Sequence, residues 1–135
     1  MTFTLHPQLA ADTTPVCKLE LSDLVLMNDS RYLWCIVVPR LDGLRDLHEV
    51  PQANKAQLLE EIDRVSVVLQ ELSGAYKMNV AALGNMVEQL HVHIIARHQG
   101  DAAWPGPVWG VGSAEPYGEG AAQTLVGQLR DKLGA

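Results

Sequence analysis

The sequence predicts an α+β domain: an antiparallel sheet, one long central helix, and a second helix at the C-terminal end. Three observations carry that reading. Short apolar runs bounded by turn residues cluster before residue 40 and again between residues 77 and 98. Between them Leu58, Ile62, Val65, Leu69, Leu72 and Tyr76 recur every three or four positions, which is one face of a long amphipathic helix. The order of strands, helix, strands and helix is that of an α+β domain rather than a βαβ array.

In chain order, residues 1–15 read as a polar leader. "PVCKLEL" and "DLVLMN" follow as short strands, "NDSR" as a turn, and "YLWCIVVP" as an apolar strand ended by Pro39, together an antiparallel meander. "RLDGLRDLHEVP" is loop-like with room for one helical turn. The long helix is expected from about Ala53 to Tyr76. "KMNVAAL" returns to strand character, "GN" signals a turn, and "MVEQLHVHIIARH" alternates for most of its length. Residues 99–120, rich in glycine and proline and carrying Trp104 and Trp109, are expected to be an ordered loop or a partner-contacting arm. Ala122, Leu125, Val126, Leu129 and Leu133 mark the closing helix.

A chain of 135 residues is the size of one domain and long enough to bury a core without disulfide staples. Ten Lys and Arg against sixteen Asp and Glu give a net charge of −6, with the basic residues scattered. A nucleic-acid duplex is therefore excluded as the expected partner. No apolar run approaches the length of a membrane span, and the N-terminal stretch lacks the pattern of a signal peptide. Cys17 and Cys35 show no zinc or redox spacing and read as reduced, buried thiols, which suits the cytoplasm.

"QLHVHIIAR" is the segment that suggests chemistry. In a strand alternate side chains share a face, so Gln89, His91, His93 and Arg97 project one way, while Leu90, Val92, Ile94 and Ala96 project toward the core. Two imidazoles on one face can bind a metal ion with a third ligand from His98, Asp101, His48 or Asp42, although no fixed ligand spacing accompanies them. They can also act covalently: a neutral histidine attacks an electrophile such as an α-phosphate, provided that one ring nitrogen is held as N–H so that the other presents its lone pair. The second route needs no metal and no cofactor.

The stretch "GNMVEQLHVHII" resembles the signature of the histidine-triad (HIT) superfamily, His-φ-His-φ-His-φ-φ with φ apolar, on a late strand after a Gly-Gln turn. Gly84 and Asn85 fall on the Gly-Gln pair, Gln89 on the first histidine, His91 on the second and His93 on the third. "MNDSR", "YLWCIVVPR", the long helix, "KMNV" and "RHQGDAAWPGP" extend the similarity over roughly residues 16 to 106. The resemblance implies a HIT-like sheet of about five antiparallel strands with two helices, usually paired into a homodimer. It implies hydrolysis or transfer of an adenine-containing nucleotide, as in a dinucleoside polyphosphate, a phosphoramidate or an adenylylated metabolite. His91 would attack the α-phosphate and His93 would contact the phosphate or bridging atom. Asn85, Gly84 and Asn79 would lie toward the substrate, and Asn28 or Asp29 would take the ribose. Arg97, by its parity with the histidines, is a candidate for a polyphosphate chain.

The sequence departs from the family pattern at two histidines. Gln89 replaces the first member of the triad, and Trp34 stands where the family has an additional histidine. Glutamine cannot titrate, so a proton relay through that position is excluded, although an orienting role survives. A nucleotide-binding module without chemistry is the alternative these losses suggest.

Overall fold

The structure, a computed structural model, describes residues 3–135. Five strands form one antiparallel sheet: β1 (Thr13–Lys18), β2 (Ser22–Met27), β3 (Trp34–Pro39), β4 (Lys77–Ala81) and β5 (Val92–Arg97), in the order β1-β2-β3-β5-β4. The helices are α1 (Pro7–Asp12), α2 (Gln52–Ser73) and α3 (Ala121–Leu133), with one 3₁₀ turn at Leu47–Glu49. The α+β class, the β1-β2-β3 meander and both long helices agree with the sequence reading.

Alternation along the strands builds two apolar layers. Leu24, Leu26, Cys35, Val37, Val92 and Ile94 face α2 and α3, where Leu58, Val65, Leu69, Leu129 and Leu133 meet them. Val25, Trp34, Ile36, Val38 and Ile95 face the other way and are covered by Leu9 of α1 and Val108 of the C-terminal arm. Pro15 lies in β1, an edge strand that tolerates a missing N–H, and the register shifts between Pro15 and Cys17. Arg130 of α3 donates to the Val16 carbonyl beside that irregularity (2.8 Å).

Three expectations need correcting. The leader is structured from Pro7: His6 accepts the Gln8 N–H at the helix start, proline occupies the first turn, and Leu9 reaches the core. Helix α2 stops at Ser73, because Gly74 takes a left-handed turn (φ 67°) and donates to the Gln70 carbonyl. Tyr76 is thus exposed outside it, and Glu61 lies on its buried face, accepting from the Leu21 N–H (2.7 Å). The third correction is that β5 begins only at Val92; Leu90 donates to the Leu44 carbonyl, so residues 82–91 form an irregular approach to the strand.

Cys17 and Cys35 are both free thiols. Burial pushes each of them up in pKa, so neither is poised as a thiolate. Among the described residues no helix is long and apolar enough to cross a membrane.

Candidate active site

Register places the histidines. His93 pairs with Ile36 of β3 and Ala81 of β4, so its side chain shares the face of Trp34, Ile36 and Ile95. His91, just before the strand, keeps the same parity, and the two rings meet edge to face with centroids 4.8 Å apart. Both are buried, at 6% and 5% exposure.

The hydrogen bonds settle which nitrogen of each ring is free. His91 Nδ1 lies 2.6 Å from the Gln89 carbonyl oxygen. A carbonyl can only accept, so Nδ1 carries the proton and Nε2 presents a lone pair. At His93 the roles are reversed: the Trp34 indole N–H donates to Nδ1 at 3.0 Å. An indole nitrogen can only donate, so neutral His93 keeps its proton on Nε2. Burial, and then the neighbouring His91, push the His93 pKa down to about 3.

Trp109 closes this cluster, 5.0 Å from the His93 ring and 5.8 Å from Trp34. His91 borders a hollow of about 710 Å³ against α2, together with Gly84, Leu58, Ile62 and the cations Arg45 and Lys55. A second hollow of about 440 Å³, bordered by Met27, Asn28, Trp34 and Trp109, lies against α1 and the C-terminal arm. His91 lines the larger hollow, and Asn28 and Asp29, the residues expected at a ribose, line the smaller one.

The side-chain amide of Gln89 is bonded to the N-terminal segment rather than to either imidazole. Its Oε1 accepts the His6 N–H (2.8 Å) and its Nε2 donates to the Thr4 carbonyl (2.9 Å). An extended chain presents the carbonyl of one residue and the N–H two residues later on the same side, which is the pair a primary amide can match. Position 89 thus clamps an N-terminal strap, helped by packing of Phe3 and Leu5 against the core. Only its backbone carbonyl serves His91. Gln89→Ala is expected to cost about 1–2 kcal/mol for two hydrogen bonds and to speed amide exchange at residues 4–9. Unchanged protection of the His6 amide would show that the clamp carries no weight.

Arg97 and Asn79 are likewise absent from the histidine pair. Arg97 is 1% exposed, bonded twice to Asp101 (2.8 and 2.9 Å) and once to Asn79 (2.8 Å), between the rings of Tyr32 and Trp104. Three of its five N–H groups are bonded within the protein and the side chain is shut from solvent, which argues against a polyphosphate chain as its partner. Asp29 is also buried; its carboxylate takes Arg31 and the Glu115 N–H. That leaves Asn28 as the candidate open to a ribose. It is exposed, although its Oδ1 accepts from the Tyr117 N–H (3.0 Å). Gly84 borders the larger hollow with φ 74°, a conformation that favours glycine, and Asn85 is exposed next to it.

Sequence reading missed His6, Lys55 and Arg45, as well as the indole bond from Trp34. His6-Pro7 carries a helix-start signature that marks α1, but no spacing relates it to Gln89. Among the described residues no group of three His, Cys, Asp or Glu side chains converges on a possible metal position.

A family model described as HIT domain matches residues 8–100. The chain belongs to the HIT-domain family. It is similar to a histidine triad protein of Marinobacter aquaeolei, at 47% identity and a TM-score of 0.95, covering 99% of this chain and 98% of that one. A histidine triad protein of Bradyrhizobium japonicum is similar at 42% identity and a TM-score of 0.94, with 98% of each chain covered. A Sulfolobus tokodaii structure described as a hypothetical histidine triad nucleotide-binding protein shares 17% identity over 94% of this chain and 87% of that one. Its TM-score of 0.71 shows the HIT fold alone. No curated protein matches the chain.

Proposed function

We propose that this HIT protein is a nucleotide hydrolase or nucleotidyl-transfer enzyme that works through a covalent nucleotidyl-His91 intermediate. The observation that carries the reading is His91 itself, with its Nδ1 proton held by the Gln89 carbonyl and the residue lining the larger hollow. The family match supports it. His91 Nε2 forms a bond to the α-phosphorus as the bond to the leaving group breaks, and water then releases the nucleotide and restores the lone pair.

In this reading His93 Nε2–H donates to a phosphoryl oxygen, and Arg45 and Lys55 offset phosphate charge at the rim of the hollow. Asn28 meets the ribose, and Trp109 and Met27 offer apolar surface to an adenine base. The expected homodimer forms through β4, which lies at the edge of the sheet, with Leu59, Val80 and Leu83 exposed around it.

Incubation with a panel of adenylylated compounds, followed by intact-mass measurement and peptide mapping, tests the mechanism. One adenylyl adduct per chain, mapped to His91, is expected under rapid quench. Binding of AMP without adduct or turnover across the whole panel would favour the non-catalytic binding module instead.

A further inference from the structure

The histidine pair holds nucleophile and donor, but none of the side chains hydrogen-bonded around it can give a proton to a departing group. His91 Nδ1–H is engaged with the Gln89 carbonyl, and its Nε2 is consumed in the bond to phosphorus. The Gln89 amide does not titrate and is occupied by the strap. His93 could act as an acid only after taking a second proton at Nδ1, where the Trp34 N–H already points. Such a proton would set two donors against each other and leave the indole N–H unsatisfied in a buried place. Trp34 cannot readily turn away: it is 6% exposed and wedged between Tyr32 (6.3 Å) and Trp109 (5.8 Å).

No surrounding titratable side chain is hydrogen-bonded to the histidine pair among the described residues. His6, on the strap, has its Nδ1 turned to the Gln8 N–H. Asp46, His48, Arg45 and Lys55 border the larger hollow but are exposed at its rim and hydrogen-bonded to neither imidazole. The low His93 pKa agrees with a ring that stays neutral.

We infer that Trp34 is a positioning residue that holds His93 as a neutral Nε2–H donor, so that the site selects nucleotides whose leaving group departs as an anion. This rests on the nucleotidyl-His91 reading. The substrate class is a nucleoside monophosphate joined through an anhydride bond to a phosphate or a carboxylate. Amine-linked phosphoramidates and alkyl esters need a proton on the leaving atom and are disfavoured. In the first step the His91 Nε2 lone pair forms the N–P bond, and the bridging P–O pair leaves on the phosphate or carboxylate oxygen without a proton. In the second, water forms the new P–O bond, the N–P pair returns to Nε2, and the proton of the water passes to solvent.

The test has two arms on the full chain. In the first, kcat/KM is measured for diadenosine triphosphate, adenosine 5′-phosphoramidate and the methyl ester of AMP. The anhydride is expected to lead each of the others by about a hundredfold or more, the usual weight of a missing general acid. Trp34→Phe, which frees His93 Nδ1, is expected to narrow the gap to the phosphoramidate by about tenfold. In the second arm, ¹⁵N NMR of the wild-type protein reads the His93 tautomer directly, with the proton on Nε2 and no second proton down to pH 5. This arm holds even if Trp34→Phe fails to fold.

Equal rates on anhydride and phosphoramidate, with an adduct on His91 from both, would overturn the leaving-group inference and leave the His91 mechanism standing. No adduct and no turnover from any of the three would overturn both. A His93 that protonates near pH 6, or carries its proton on Nδ1, would overturn the role of Trp34.

Discussion

His91→Ala is expected to lower turnover of any accepted nucleotide by at least about four orders of magnitude, because the proposed nucleophile and the covalent intermediate proposed on it disappear together. The loss should fall on kcat, since the groups proposed to hold phosphate and ribose (Arg45, Lys55, Asn28) are untouched. Truncation beside an open hollow leaves the fold intact, which circular dichroism and AMP binding will check. His93→Ala should be milder, removing one donor to the phosphoryl group, about 10²–10³-fold in kcat. Turnover by His91→Ala at the wild-type rate, in a preparation free of contaminating hydrolase, would end the covalent reading.

The second large effect is on stability. Asp101→Ala is expected to destabilise the protein by about 3–5 kcal/mol, because it strands the Arg97 guanidinium without its counter-charge in a buried place. The Arg97 and Asp101 side chains are 2% and 7% exposed. Asp101 also accepts the backbone N–H groups of His98 and Trp104, so the same change frees the start of the C-terminal arm. Removing both charges, with Arg97→Met alongside Asp101→Ala, should recover part of the loss, because no unpaired charge remains.

The pH dependence follows from the same pair. The Arg97 guanidinium holds the Asp101 carboxyl at about pH 2 in the folded protein, below the ordinary carboxylate value near 3.9 in the unfolded chain. Its contribution is therefore present above about pH 4 and is lost as pH falls through about 2. Denaturant unfolding at pH 7, 4 and 2.5 should show wild type converging on Asp101→Ala as the acid limit is approached. A variant within 1 kcal/mol of wild type at pH 7 would show that the pair does not hold the arm.

Strand parity was legible along the chain because it depends only on alternation. It put His93 on one face and Val92 and Ile94 in the core, as the paired strands confirm, while His91, just before the strand, meets the His93 ring edge to face. The long helix was legible for the same reason, through Leu58, Ile62, Val65 and Leu69. Its end was misread because Tyr76 continues the apolar period although Gly74 has already broken the backbone. Arg97 was misread in a different way. Parity assigned its face correctly but could not show that Asp101, four residues on and past the strand end, folds back to bury its charge.

The sequence by itself determined the fold class and singled out His91 as the proposed nucleophile, because strand alternation and helical period lie within local runs of backbone. Tertiary structure alone decided what the two altered positions do. Trp34 reaches His93 across 59 residues and Gln89 meets His6 across 83. Both contacts depend on the sheet bringing β3 beside β5 and on an N-terminal strap crossing the strand's approach. The physical reason is directional: hydrogen bonds made at such separations are set by where folding places a donor and an acceptor. That placement made an indole the partner of one histidine and gave the glutamine amide to the N-terminal strap.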